Sequence, residues 1–322
     1  MSFSATVKNE LARILPDDRA AQLAELSALL RTTGALKIVG LNKLAFSVST
    51  ENPAIARKIF LLIKNCFGIN VEIQLGAGSG PKKSKLYLLY VSNEQGANEI
   101  LEQIGIIEIA QDGIHFLETL PKKIISKQES RRAFVRGAFL GCGSVNNPER
   151  LYHMEFAITD IDFGKRLSKL LLSYEITAKM IPRKNMQVIY IKDSEKISDM
   201  LSIMGAHKAL FHMENVRAQK QILNDINRVM NFDTANINKT ISTAQRQIDS
   251  INYIIEKKGM NYLPENLREI AQLRLEYFEE NLKELGQRMD KPLGKSGVNH
   301  RLKKIEEIAE KLRAEQEKTK EE

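Results

Sequence analysis

The chain has 322 residues, a formal net charge of +8 at pH 7 and two cysteines, Cys66 and Cys142. This length is enough for two or three domains, and two distant cysteines exclude a disulfide framework or a cysteine-rich zinc site. No apolar run approaches the roughly 20 residues that span a bilayer, and the N-terminus lacks the organisation of a signal peptide. We expect a cytoplasmic protein with an anionic partner.

A repeat follows a short N-terminal helix, which we predict within residues 1–18. The segment ALLRTTGALKI (28–38) resembles GAFLGCGSVNN (137–147). We place the two copies at 19–118 and 119–210, and the periodicity predicts helix, two strands, helix, two strands and helix in each. The strands of the two copies correspond in order along the chain: LAFSVST (44–50) corresponds to MEFAITD (154–160), and LYLLYVS (86–92) corresponds to VIYIKDS (188–194).

Two basic segments interrupt the repeat. The first is the loop GAGSGPKKSK (76–85), which we interpret as a hairpin tip. The second is the connector 119–137, which holds six Lys or Arg residues against one Glu and is either a solvated linker or a ridge that contacts phosphate. The candidates for a secondary contact with phosphate in these segments are Lys82, Lys83, Lys85, Lys122, Lys123, Arg131 and Arg132.

Residues 211–262 have the apolar spacing of a long helix and are rich in Asn and Gln. We predict a helical linker, which is either an amphipathic connector that packs on one domain or a polar surface that contacts DNA backbone or a protein partner. The chain ends with a charged segment, 314–322, which we expect to be disordered.

Residues 263–313 are predicted to form three short helices. In the first, apolar residues recur at helical spacing up to Arg274. Asn281 is a suitable N-cap for the second helix, and Lys291, Pro292 and Gly294 break the chain after it. Ser296 is expected to cap the third helix, whose inward residues are Val298, Leu302, Ile305 and Ala309.

The third helix carries basic and amide side chains opposite its apolar stripe. This is the pattern of a helix-turn-helix, whose recognition helix presents its first turns to the major groove. A small helical bundle with a solvated basic face is the alternative. The predicted contacts with double-stranded DNA are Arg288, Lys291, Lys295, Ser296, Asn299, His300, Arg301, Lys303 and Lys304.

The repeat order, with a helix ending GAFLGCGSV, resembles the LAGLIDADG homing-endonuclease fold. Two such copies followed by a helix-turn-helix resemble the bacterial sporulation-regulator WhiA family. The similarity to this family is strongest in the segments RGAFLGCGSVNNPE (136–149), the Asn-rich helix 214–240 and KPLGKSGVNHRL (291–302). The resemblance implies an α+β fold, namely a duplicated LAGLIDADG-like αββαββα domain followed by an all-α helix-turn-helix domain.

LAGLIDADG nucleases hold divalent metals with one acidic residue at the end of each motif helix. In this chain Thr33 and Cys142 occupy those degenerate nuclease positions. A hydroxyl and a thiol are poor ligands for Mg²⁺, which prefers carboxylate oxygens. Asp160 and Asp162 are expected to cap the following helix instead. We therefore predict no enzyme activity, no metal and no cofactor. Gly137 and Ala28 are expected where the two motif helices approach closely.

The resemblance implies a DNA-binding transcriptional regulator, active in sporulation in some bacteria and in cell division and chromosome segregation in others. We expect a monomer that is associated with the nucleoid, has no membrane contact and has RNA polymerase or a sigma factor as a possible partner. The alternatives are a nucleoid-associated protein-interaction scaffold and an active metal-dependent DNA endonuclease.

Overall fold

A computed structural model describes residues 2–77, 85–117 and 120–321 of the chain, with side chains through residue 316. The predicted contacts Lys82 and Lys83 lie outside these residues. The fold divides into two compact units, Met1–Lys220 and Gln221–Glu322. Among the described helices, none combines the length and the apolar composition needed to cross a membrane.

The first unit contains an N-terminal helix and two copies of the predicted helix-and-strand order. A 3₁₀ turn, Lys122–Ile125, lies between the copies. The bounds of the elements are α1 Phe3–Leu11, α2 Arg19–Thr33, β1 Gly34–Gly40, β2 Lys43–Thr50, α3 Pro53–Phe67, β3 Ile73–Ala77, β4 Lys85–Val91, α4 Ala97–Gln103, β5 Ile107–Ala110, β6 Gly113–Phe116, α5 Gln128–Cys142, β7 Gly143–Val145, β8 Met154–Ile158, α6 Ile161–Leu172, β9 Lys179–Arg183, β10 Met186–Ile191 and α7 Ser194–Met204.

The two sheets have the same antiparallel topology. Their strand orders are β1-β2-β4-β3 and β7-β8-β10-β9, which agrees with the duplication read from the sequence. The small hairpin β5–β6 was not predicted, because its strands are only four residues long and so give a weak alternation signal. It belongs to the first copy alone.

The two motif helices, α2 and α5, pack closely through small residues. A Cβ atom added at Gly137 would lie 2.4 Å from the carbonyl oxygen of Glu25 and 3.0 Å from the Cβ of Ala28. A Cβ atom added at Gly141 would lie 1.9 Å from the Thr32 hydroxyl oxygen. A larger side chain at either glycine would therefore push the helices apart, and the predicted packing role of Gly137 and Ala28 is confirmed.

A buried ion cluster joins α2, α3 and α5 in the core of this unit. Glu25 is fully buried and receives two hydrogen bonds of 2.9 Å from the Arg136 guanidinium. The Lys58 ammonium lies 2.5 Å from the same carboxylate and donates to the carbonyls of Leu11 and Ile14. Burial lowers the pKa of Lys58 to about 8, and attraction to Glu25 opposes that shift.

The second unit is helical throughout its described residues. It takes in most of α8, His207–Lys258, and contains α9 Glu265–Glu276, α10 Leu282–Gln287 and α11 Lys295–Glu321. The predicted inward residues of the third short helix, Val298, Leu302, Ile305 and Ala309, are buried in one core with Leu267, Ile270 and Ala271 of α9, Leu285 of α10 and Met289 just after α10. That core also includes Ile251 and Ile254 from α8.

The structure differs from the expected linker and tail in two respects. Residues 211–262 were expected to be a helical linker that either packs on one domain or presents a polar surface; the last turns of α8 do pack on a domain and form part of the C-terminal core, although the expected boundary lay at residue 263. Residues 314–322 were expected to be disordered, but α11 continues through Glu321. The tail is rich in Glu, Lys and Gln, which favour helix even where no packing supports it.

We predict that Glu25→Gln strongly destabilises the first unit, because it leaves two buried cations without their shared anion. Losing one partner of a buried ion pair costs roughly 3–5 kcal/mol. Differential scanning calorimetry of the full chain should show a lower-temperature transition for this unit. The exposed Glu129→Gln is the control and should unfold like the parent; equal stability of the two variants would contradict a structural role for the cluster.

Candidate nucleic-acid interface

The turn between α10 and α11 is built by local hydrogen bonds and one glycine. Asn281 and Glu284 form a reciprocal capping box at the start of α10. Leu293 N donates to the Gly286 carbonyl at 2.9 Å, which folds the chain back toward α11. A Cβ atom at Gly286 would lie 2.1 Å from the Leu293 carbonyl oxygen and 3.0 Å from Val298. The absence of a side chain at Gly286 thus allows α10 and α11 to meet.

Arg274 organises the preceding turn from the end of α9. Its side chain is 2% exposed, and its guanidinium donates to the Glu280 carbonyl at 2.8 Å. Burial lowers the pKa of Arg274, and Glu280 partly offsets this shift. The sequence pattern correctly placed Arg274 on the inward face. It gave no sign that the side chain holds the loop between α9 and α10.

The first turns of α11 present a basic surface. Lys295, Ser296, His300, Lys303 and Lys304 are exposed, whereas Asn299 and Arg301 are half-buried at the edges of the face. The next turns carry Glu306, Glu307 and Glu310, so the excess of positive charge is confined to the helix start. This arrangement also places the cations beside the free N–H groups of the helix N-terminus, where an anion is favoured.

Two of the predicted DNA contacts, Ser296 and Arg288, differ from expectation in their position or their partners. Ser296 lies inside α11, which begins at Lys295, so it does not cap the helix. Arg288 stacks over the Tyr277 ring at 4.0 Å and lies 2.6 Å from the Glu280 carboxylate. Its guanidinium is therefore already bound within the unit. Lys291 is exposed in the turn.

The predicted secondary contacts in the first unit are not equivalent. Arg132 is half-buried and donates to the carbonyls of Ser202 and Ile203, so it serves the packing of α5 against α7. Arg131 is exposed, although its Nε donates to the Ile125 carbonyl. The exposed cations Lys85, Lys122 and Lys123 make no described ion pair.

The degenerate nuclease positions lie at the ends of α2 and α5. The Thr33 hydroxyl donates to the Leu29 carbonyl at 2.7 Å, and the Cys142 thiol lies 3.2 Å from the Ala138 carbonyl oxygen. Burial raises the pKa of Cys142 to about 12, against the attraction of Lys8. The thiol is therefore protonated and unsuited to bind a hard cation. Asp160 accepts hydrogen bonds at the start of α6, which confirms its predicted capping role.

No group of three or more potential metal-ligating side chains occurs within the part of the chain that the structure describes. The candidate interface is a helix surface on which exposed basic side chains are concentrated.

Comparisons with known proteins agree with this architecture. Three family models match the chain: a WhiA N-terminal LAGLIDADG-like domain at residues 19–107, a WhiA LAGLIDADG-like domain at 131–223 and a WhiA C-terminal HTH domain at 226–309. A protein of Thermoanaerobacter pseudethanolicus named probable cell division protein WhiA is 47% identical over 313 residues, covering 97% of this chain and 98% of its own. The chain belongs to the WhiA family.

Further WhiA relatives match over the same extent. A protein of the same name from Clostridium novyi is 45% identical over 315 residues, covering 98% of this chain and 99% of its own. The crystal structure of full-length DUF199/WhiA from Thermatoga maritima has a TM-score of 0.60 at 27% identity and covers 97% of this chain and 99% of its own. The expected fold class, LAGLIDADG-like domain and helix-turn-helix are thereby confirmed.

The WhiA comparison also explains why the C-terminal domain begins earlier than expected. The matched WhiA HTH domain begins at residue 226, within α8, and Ile251 and Ile254 of that helix are buried against the three short helices. Periodicity alone indicates a helix from residue 214 onward but does not show which of its turns pack. Gly286 was missed for a similar reason, since a glycine within a short helical pattern signals close packing only weakly.

We predict that Gly286→Ala unfolds or loosens the helix-turn-helix of this WhiA-family protein. The added methyl group would meet backbone, which cannot move aside as a flexible side chain does. Gly297→Ala is the matched control, because its Cβ would meet Leu293 side-chain atoms at 3.6 Å, which is ordinary contact, and Ala in a helix gains roughly 0.5–1 kcal/mol over Gly. The thermal unfolding temperature of the second unit should be lower in Gly286→Ala than in the parent, and it should not be lower in Gly297→Ala.

Proposed function

We propose that this chain is a DNA-binding transcriptional regulator whose primary DNA contact is made by α11. The observation that carries the proposal is the exposed basic start of α11 within a helix-turn-helix core. In this arrangement the first turns of the recognition helix enter the major groove. The acidic later turns of α11 restrict the contact to its beginning.

The side chains of this surface have distinct roles in the proposed complex. Asn299 pairs with the edge of an adenine, and Lys303 hydrogen-bonds to a guanine edge. Lys295 and Lys304 contact phosphates, while His300 lies between the two kinds of contact. Phosphate contacts supply most of the affinity, so binding is strongly salt dependent. Arg288 acts indirectly, by holding the loop before α10 against Tyr277 and Glu280.

The LAGLIDADG-like domain supplies a second contact through the sheet faces that lie opposite α3 and α6. Strand register places Lys37 of β1, and Lys179 and Arg183 of β9, on these faces. Glu155 lies on the same face of the second sheet and is paired with Arg183 at 3.3 Å. The cations outnumber the carboxylates there, which favours a phosphate backbone. A protein partner such as RNA polymerase or its sigma factor is the alternative occupant.

The cellular role that we propose rests on the relatives. Proteins that cover almost the whole chain are named probable cell division proteins. We infer a cytoplasmic, nucleoid-associated regulator that acts on cell division and chromosome segregation, and on sporulation where the organism sporulates. A nucleoid-associated scaffold without sequence preference would have the same location but would not require the base-edge contacts of α11.

Replacing His300, Lys303 and Lys304 together with Ala should greatly weaken DNA binding without changing stability, because all three side chains are exposed. Each lost phosphate contact should lower the slope of log K against log salt by about 0.9. Fluorescence anisotropy with a labelled promoter fragment across a salt series measures both quantities. The control replaces Lys239, Lys258 and Lys311, which are also exposed. If both triple variants lost the same DNA affinity, the binding would be explained by non-specific charge attraction and not by a contact of α11.

We further predict that the protein does not cleave DNA. Supercoiled plasmid should remain intact after incubation with Mg²⁺ or Mn²⁺, since neither Thr33 nor Cys142 offers a carboxylate. Gel analysis with and without EDTA is the measurement, and chelation should leave DNA binding unchanged. Metal-dependent nicking that disappears in the Thr33→Ala, Cys142→Ala double variant would instead establish the nuclease.

A further inference from the structure

Among the described residues of the second unit, none packs against the middle of α8. All 22 residues from 221 to 242 are exposed. The first buried residue on its C-terminal side is Ala244. At 1.5 Å per residue this segment is about 33 Å long. A helix that contains many Asn and β-branched residues gains little from intrinsic propensity, and most helical stability in proteins comes from packing of an apolar face.

This segment has such a face. Ile222, Ile226, Met230, Ile237 and Ile241 are between 50% and 61% exposed. At about 100° per residue they fall within one stripe of the helix. Leu223 and Val229 lie at its margins with similar exposure. Contiguous exposed apolar surface of this extent marks an interaction site in a soluble protein.

The stripe reads the same in both directions. Its positions are Ile222, Ile226, Met230, Asp233, Ile237 and Ile241, with spacings of four, four, three, four and four residues. In an antiparallel pair centred between residues 231 and 232, Ile222 faces Ile241 of the second copy and Ile226 faces Ile237. A surface that is complementary to itself under a twofold rotation is what a symmetric dimer requires.

The net charge of residues 221–242 favours a second copy of this chain, rather than DNA or a membrane, as the partner of the stripe. The charged residues between 221 and 242 are Asp225, Arg228, Asp233 and Lys239, so the segment has no net charge. It has no electrostatic attraction for DNA or an anionic membrane. In a parallel pair the two Asp233 carboxylates would face each other directly, whereas the antiparallel pair places each against Met230 of the other copy. The repulsion of like charges therefore selects the antiparallel arrangement.

A groove continues the stripe at its C-terminal end. It has a volume of about 520 Å³ and is lined by residues that include Ile241, Ala244, Ile248 and Phe278. Phe278 is 56% exposed. The antiparallel register brings Ile222 and Leu223 of the second copy to this groove, so both ends of the paired helices have an apolar site to fill.

We propose that two copies of this chain associate through residues 221–242 of α8 as an antiparallel helix pair. The pairing replaces the monomer expected from the sequence. It gives each assembly two helix-turn-helix modules, and on the proposed function such a dimer would bind two half-sites. The dimer itself does not depend on that function, since it is measured without DNA.

Sedimentation equilibrium of the full chain, across the micromolar range and without DNA, tests the association. We expect a concentration-dependent dimer. The Ile226→Asn, Ile237→Asn double variant should weaken it by at least about tenfold, equivalent to 1.4 kcal/mol. Asp233→Leu should tighten it by a similar factor, because it removes the buried carboxylate from the seam. Ala235→Asn, on the opposite face of the helix, should dimerise like the parent.

Disulfide trapping tests the direction of pairing. Met230→Cys places the two thiols only three residues apart along the antiparallel axis, about 4.5 Å, whereas Ile222→Cys places them 19 residues apart, about 28 Å. Mild oxidation should cross-link the first variant and not the second, with the parent as the control for Cys66 and Cys142. A monomer at every concentration, or unchanged dimerisation of the double Asn variant, would overturn the proposal. Cross-linking of Ile222→Cys alone would overturn the antiparallel arrangement.

Discussion

The close approach of α2 and α5 is the constraint on which the first unit depends. Gly137 leaves no room for a side chain against the Glu25 backbone, and the Glu25 carboxylate binds Arg136 and Lys58 within the same core. The small residues fix how near the helices come, and the ion cluster fixes their register and ties α3 to them. Each sheet follows directly from the C-terminus of a motif helix, so the positions of both sheets follow from this contact.

That dependence explains how the packing of a LAGLIDADG-like motif can persist with Thr33 and Cys142, rather than carboxylates, at the ends of its helices. The motif's glycines and small residues serve packing, which the fold needs whether or not DNA is cut. The resemblance to LAGLIDADG nucleases implies that the acidic positions serve the metal. It assigns Thr33 and Cys142 to those positions, and the polar atoms of both residues face carbonyls of their own helices. A family match to a LAGLIDADG-like domain therefore establishes the architecture, while the donor atoms at the helix ends decide the chemistry.

The second unit divides its long helices between packing and interaction. The last turns of α8 are buried with α9, α10 and α11, and the start of α11 is left exposed with its cations. The middle of α8 has an exposed apolar stripe. The proposed dimer would cover that stripe, and the proposed DNA contact would use the cations. Both interactions draw on faces that the core of the unit leaves free.

The sequence by itself determined the duplicated order of helices and strands and the inward residues of the third short helix, and it shows Thr at position 33 and Cys at position 142 where the resemblance predicts carboxylates in a nuclease. These are local properties, since periodicity and residue type depend only on near neighbours in the chain. The tertiary structure decided the rest. It joined the end of α8 to the helix-turn-helix core, bound Arg288 to Glu280 and Arg132 to backbone carbonyls, and gave Gly286 its role. Each of these depends on atoms brought together from separate elements, which spacing along one helix does not encode.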